Sequence, residues 1–280
     1  RHRVVGQLAE EVDVGGMLGM RAKQDRMSGR LGIHNIGPRH AAPHALPMNR
    51  TLHHFPLDPA SRQVRLALGE KRLAFTEAPV RYWERPKDLT AMNPSGLLPV
   101  LVEGEGDDRL VLCENRAILG HLEETAPEPA LLGREPGERA EARRLLQWFD
   151  GKFQFEAGGY ILHEKLEKRL LGMGAPDLAN LRQGREGLRN HMFYIEKLLQ
   201  EREWLAGRKL SLADFAAAAH LSVIDYCGDM PWSGFPAAKT WYMKLKSRPC
   251  FRPLLTDRWP GLAPAAHLAL EGVVRQTRAV

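Results

Sequence analysis

From about Met48 onward, apolar and polar positions fall into short runs whose period changes along the chain. Residues 51–55, Thr-Leu-His-His-Phe, read as a short strand. After Pro56 and Pro59 the period becomes helical. Val64, Ala67 and Leu68 share one face, and Arg62, Arg65 and Lys71 are expected outside. Residues 75–80 read as a second strand. Asn93-Pro94-Ser95-Gly96 is a turn into an apolar run at 99–102, and Gly104-Glu105-Gly106-Asp107 is a hairpin turn into Leu110-Val111-Leu112. Glu114 opens another helix, with Ala117, Ile118, His121 and Leu122 expected on one face. The order is βαβ, then ββα.

Beyond residue 137 only helical spacing recurs. Ala142, Leu145, Leu146, Phe149 and Phe153 form one stripe, and Leu188, Met192, Ile195 and Leu199 form another. The expected architecture is a small α/β domain followed by a larger all-α domain. The divisions are a disordered leader at 1–47, an α/β domain at 48–126, a linker at 127–137, a helical domain at 138–256 and a tail at 257–280.

Composition narrows the function classes. The net charge of +6 divides evenly: residues 1–47 carry seven Lys/Arg and four Asp/Glu, and the rest carry 33 and 30. With no basic stripe interleaved with aromatics, nucleic acid is not an expected partner. No run approaches the ~20 apolar residues of a membrane span, so no transmembrane segment is expected. Cys113, Cys227 and Cys250 are an odd, scattered set without a CxxC, which argues against a disulfide framework and for a reducing cytoplasm. His53 and His54 would face opposite sides of a strand and cannot share one metal ion, so no metal is expected.

Three local features carry chemistry. Leu98-Pro99 opens a buried strand, where a proline is either an ordinary trans edge residue or a cis one that turns backbone groups outward. In Leu210-Ser211-Leu212-Ala213-Asp214-Phe215, Ser211 can cap a helix while Asp214 reaches back to its amide, which makes Asp214 structural and not a catalytic acid. Tyr82 and Trp83 stand in a charged, Pro-bounded loop. They are candidates for a protein interface, with packing over the second helix as the alternative, and Trp232 is a weaker case of the same kind.

Residues 56–68 (Pro-Leu-Asp-Pro-Ala-Ser-Arg-Gln-Val-Arg-Leu-Ala-Leu), Asn93 to Leu101, Leu112-Cys113-Glu114-Asn115 and Leu210 to Phe215 stand in the order seen in glutathione transferases. Taken together, over about residues 50–255, they resemble that family closely. The resemblance implies a thioredoxin-like N-terminal domain, an all-α C-terminal domain, a cis Pro99 and a homodimer. Its glutathione-site positions fall at Asp58, Ser61, Leu98, Pro99, Glu114 and Asn115. The segments 225–232 and 237–255, with Asp257-Arg258 and Pro260-Gly261, are similar to a bacterial branch of transferase-like division regulators that bind FtsZ filaments and recruit to the division site. The basic tail after His267 departs from that branch.

The family activates the glutathione thiol with a donor from Ser, Tyr or Cys near the first helix. Here that position holds Asp58, and a carboxylate accepts and cannot donate. Ser61 is the catalytic hydroxyl only if the loop register shifts by three; otherwise it begins the helix. Asn115 stands where the family shows Ser or Thr. The expected function is therefore a binding protein with no required cofactor, glutathione being a possible ligand, and the resemblance implies FtsZ filaments as the partner. The alternative is a glutathione transferase that conjugates small electrophiles. A third reading, a stringent-starvation type of regulator on the same fold, has no residue pointing to it.

Overall fold

The computed structural model describes residues 49–268. The expected leader and the last residues of the expected tail lie outside this range. Strand β1 (Arg50–His54) leads through Asp58 into α1 (Pro59–Glu70), followed by β2 (Thr76–Pro79). A 3-10 turn at Tyr82–Glu84 and α2 (Lys87–Met92) precede β3 (Val100–Glu103), β4 (Leu110–Cys113) and α3 (Asn115–Thr125). The sheet order is β2-β1-β3-β4. β1 runs parallel to β2 and antiparallel to β3, with Leu52 opposite Leu101, and β3 pairs antiparallel with β4. This is the thioredoxin-like layer.

The remainder is helical. Helix α4 (Pro136–Gln147) continues without a break into a π-helical stretch, Trp148–Gly158, then α5 (Gly159–Leu162), a second π-helical turn and α6 (Lys168–Leu171). Helices α7 (Leu178–Glu201), α8 (Leu212–Tyr226), α9 (Pro236–Ser247) and α10 (Arg252–Thr256) complete the described chain. Phe149, Phe153, Leu188, Met192, Ile195 and Phe215 are buried together in this layer's core. Helix α7 comes so close to the π-helical stretch that a Cβ on Gly187 would lie 2.1 Å from the Glu156 carbonyl oxygen, so only glycine fits there. No described helix is long and apolar enough to cross a membrane.

Two sequence expectations need correction. Ala117 is exposed, and Leu119 joins Ile118 and Leu122 on the buried face of α3 instead. Arg62, Arg65 and Lys71 are buried, although the periodicity placed them outside. The reason is that α1 is packed between α3, α8 and the chain around Cys250, leaving it no exposed residue. Buried cations must be paired. Arg62 donates to the Pro56 carbonyl (2.7 Å), Ser222 Oγ (2.7 Å) and Asp257 Oδ2 (3.0 Å). Arg65 bridges Asp257 (2.8 Å) and Glu77 (2.9 Å). Lys71 Nζ meets Glu123 at 2.7 Å and the carbonyls of Ala126 and Pro129.

Candidate functional site

The N-terminus of α1 is built by local chemistry. Asp58 is its N-cap in an extended conformation and Pro59 is the first helical residue. Asp58 Oδ2 accepts from the Ser61 amide at 2.7 Å and the Ser61 hydroxyl at 2.6 Å. The helix therefore begins at Pro59 and not at Ser61, and the cap is the carboxylate. An Asx cap satisfies the orphan amides of the first turn, and a third-position serine merely completes it. Ser61 is buried, with its hydroxyl committed to Asp58.

Beside this turn lie the cis Leu98–Pro99 peptide and the start of α3. Glu114 stands at the N-cap position of α3 with a positive φ of 69° and makes no side-chain cap bond. That conformation is uncommon for a non-glycine residue and recurs where backbone geometry serves a site. The helical domain closes the other side with Asp150 and Gln154 from the π-helical stretch and His220 from α8. Together these residues, with Pro59, Ala60, Leu97 and Arg116, line a cleft of about 520 Å³.

Asp150 is the hub of the cleft. Its Oδ1 accepts from Gln63 Nε2 (2.6 Å) and pairs with His220 Nε2 (3.3 Å). Its Oδ2 accepts from Asn115 Nδ2 (3.0 Å) and Arg116 Nε (3.3 Å). Burial alone would raise this carboxyl, but the bonds and charge from His220, then Gln63 and Asn115, hold it down at about 2. Asn115 also donates to Gln63 Oε1 at 2.9 Å, so its amide braces the floor of the cleft. Asp58 behaves oppositely: burial pushes its carboxyl above the usual carboxylate range, only partly offset by the Ser61 bonds.

The cleft thus brings together Asp58, Leu98, Glu114 and Asn115, with Pro99 adjoining through its cis bond, but not Ser61. None of its lining residues carries a hydroxyl or a thiol. The cysteines lie elsewhere: burial pushes Cys227 and Cys250 up to about 12 and also raises Cys113. Asp150, Gln154 and His220 were missed by sequence reasoning. Their signal was polar residues interrupting apolar helical runs, Asp150 and Gln154 four apart and His220 amid the residues 215–224.

The other candidates lie outside the cleft. Trp83 packs edge-on against Phe55 (5.3 Å), Tyr82 (5.3 Å) and Trp259 (5.7 Å), forming a half-buried aromatic cluster against the core. Trp232 stacks on Tyr242 at 4.6 Å and donates to Asp225 Oδ1 at 2.9 Å. Ser211 and Asp214 form a capping box at the start of α8. Asp214, fully buried, also accepts from Trp241 Nε1 and the Leu205 amide, both at 2.9 Å. A second cavity of about 360 Å³, near Lys165 and Tyr226, contains none of the predicted residues. Its Lys165 is paired with Asp229 and its Glu164 with Lys168.

A four-stranded thioredoxin-like layer, a cis proline beside the first helix and an all-helical second layer define the glutathione S-transferase fold. Residues 52–130 match the glutathione S-transferase N-terminal domain and residues 183–255 its C-terminal domain, and the chain belongs to that family. Within it, the chain is 75% identical over 220 residues to FtsZ-localized protein A of Caulobacter vibrioides, covering 79% of this chain and 96% of that protein. The solved structure of FzlA from C. crescentus matches with a TM-score of 0.77, over 79% of this chain and 97% of that one. A glutathione S-transferase structure from Rhodospirillum rubrum F11 is 48% identical with a TM-score of 0.76, over 79% and 98%. Glutathione S-transferase 2 of Saccharomyces cerevisiae is 28% identical over 222 residues, 72% of this chain and 88% of that protein.

Proposed function

We propose that this chain is a transferase-fold binding protein that associates with FtsZ filaments in the cytoplasm, acts at the division site on their curvature and constriction, and works as a homodimer. The observation that carries the reading is the 75% identity, over 96% of its length, to a protein named for its localisation with FtsZ. The chemistry of the cleft supports it. A transferase must stabilise a thiolate, and here a carboxylate stands at the helix N-terminus where a donor is needed, with no hydroxyl or thiol in the lining. Glutathione would enter as a ligand at most, its amino group toward Glu114.

The test is co-sedimentation of the full chain with GTP-polymerised FtsZ, run beside glutathione calorimetry and a conjugation assay. Saturable pelleting with little conjugation is expected. Absence from the pellet combined with brisk conjugation would instead make the chain a working transferase.

A further inference from the structure

The second cavity, of about 360 Å³, is walled by four segments that hydrogen bonds hold together. They are the helical run 164–169, the loop before α7, the end of α8 and the chain around Leu262. The loop is tied down by the Asp177 amide, which donates to Glu164 Oε2 (2.7 Å). Lys165 Nζ donates to the Cys227 carbonyl (3.0 Å) and fixes the end of α8. The Tyr226 hydroxyl donates to the Leu262 carbonyl (2.5 Å), and the Ala265 amide donates to the Tyr226 carbonyl (2.9 Å). The inner wall is apolar. Leu166, Tyr226 and Leu262 are buried in it, and the Cys227 thiol, pushed up to about 12 by burial, stays neutral at pH 7. The rim is open to solvent at Gly174 and Pro176.

The charges around this cavity do not balance. The acid in the lining, Glu164, is satisfied by Lys168 (2.6 Å), Asn180 Nδ2 (2.9 Å) and the Asp177 amide. The cations are not. Lys165 shares Asp229 with Arg185 (2.7 Å), so two positive charges face one carboxylate. Arg169, exposed and in the lining, has no hydrogen bond or ion pair among the described residues. A free guanidinium at the edge of an apolar cavity presents a planar fork of donors that matches a carboxylate. A cation would be repelled there, and a multiply charged anion would set more charge against the apolar wall than one guanidinium offsets. We propose that this cavity binds a monocarboxylate with an apolar body, the carboxylate on Arg169 and the body against Leu166, Tyr226 and Leu262. Its volume is that of a small-molecule pocket. The site shares no lining residue with the cleft at Asp58 and does not depend on FtsZ binding, so either idea can fail alone.

The test titrates the full chain at pH 7 with naphthoate and with naphthamide, its neutral counterpart of the same shape. Calorimetry gives the affinities and backbone amide resonances give the place. Naphthoate is expected to bind and to shift the amides of Leu166, Cys227 and Ala263, leaving those of Ala60 and Leu97 unmoved. Naphthamide should bind at least ~10-fold more weakly, as loss of charge-assisted hydrogen bonds requires. Arg169→Gln changes an exposed side chain without a described partner, so the fold survives. It should weaken naphthoate ~10-fold or more and leave naphthamide unchanged. Equal binding of the two compounds, no binding of naphthoate, shifts confined to the cleft at Asp58, or an Arg169→Gln variant that binds naphthoate as well as the parent would each overturn the proposal.

Discussion

At the scale of single residues, Asp58 decides most. One carboxylate caps α1 and engages Ser61, and on the family resemblance we propose that it occupies the position from which a transferase donates to sulfur. Its charge opposes a nearby thiolate, and an acceptor cannot replace a donor. Asp58→Ser exchanges one good N-cap for another and restores a hydroxyl at that place. Conjugation of glutathione to a generic aromatic electrophile should be slight in the parent and should rise on this change. The ceiling is about 10- to 150-fold, the worth of one charge-assisted hydrogen bond confined to the thiolate side. Brisk parental activity abolished by Ser61→Ala would refute the assignment. Asp214 shows a carboxylate put to a different use. Bonded to Ser211, Leu205 and Trp241, it ties α8 to α9 and to the loop before it.

Helix α1 carries the lesson at the scale of elements. An isolated amphipathic helix shows its arginines to water, but here the C-terminal chain folds back over it. Asp257 bonds both Arg62 and Arg65, Trp259 packs on Phe55 at 4.9 Å, and the Tyr226 hydroxyl bonds the Leu262 carbonyl. Removing Asp257 leaves two buried guanidinium groups short of their partner. Asp257→Ala should therefore cost about 3–5 kcal/mol in urea-unfolding experiments, the typical penalty for breaking a buried pair. A cost under ~1 kcal/mol would mean that water reaches these arginines and that the segment is only loosely laid down.

For the whole molecule, the coupling between layers gives a pH dependence. Asp150 sits near 2, and Glu77, beside His54 and Arg65, also sits near 2. Their folded values lie below the unfolded ones of about 4. Their contribution to stability is therefore present above pH ~4 and is lost as pH falls toward 2. Asp58 and Asp214 have the opposite sign, since burial raises both and the folded state holds their protons more tightly. Thermal midpoints measured from pH 5 to pH 2 should fall, and Asp150→Asn should flatten part of that fall. An unchanged slope in Asp150→Asn would show that this carboxylate is not depressed.

The fold was legible in the sequence because it rests on short-range physics. The strand at 51–55, the turn at Asn93–Gly96 and the stripes at 142–153 and 188–199 follow from side-chain period and turn chemistry, which neighbouring residues determine. Half of the cleft was legible in another way: Asp58, Leu98, Glu114 and Asn115 belong to local motifs whose resemblance to the transferase family implied a site. The other half could not be read this way. Asp150, Gln154 and His220 reach the cleft only because α8 packs against α1 and the π-helical stretch packs against α8, and no local rule links position 58 to position 220. The burial of Arg62, Arg65 and Lys71 is likewise a tertiary decision. Their counter-charges, Asp257 and Glu123, come from distant parts of the chain, and a cation's place inside or outside is set by whether the fold brings it a partner.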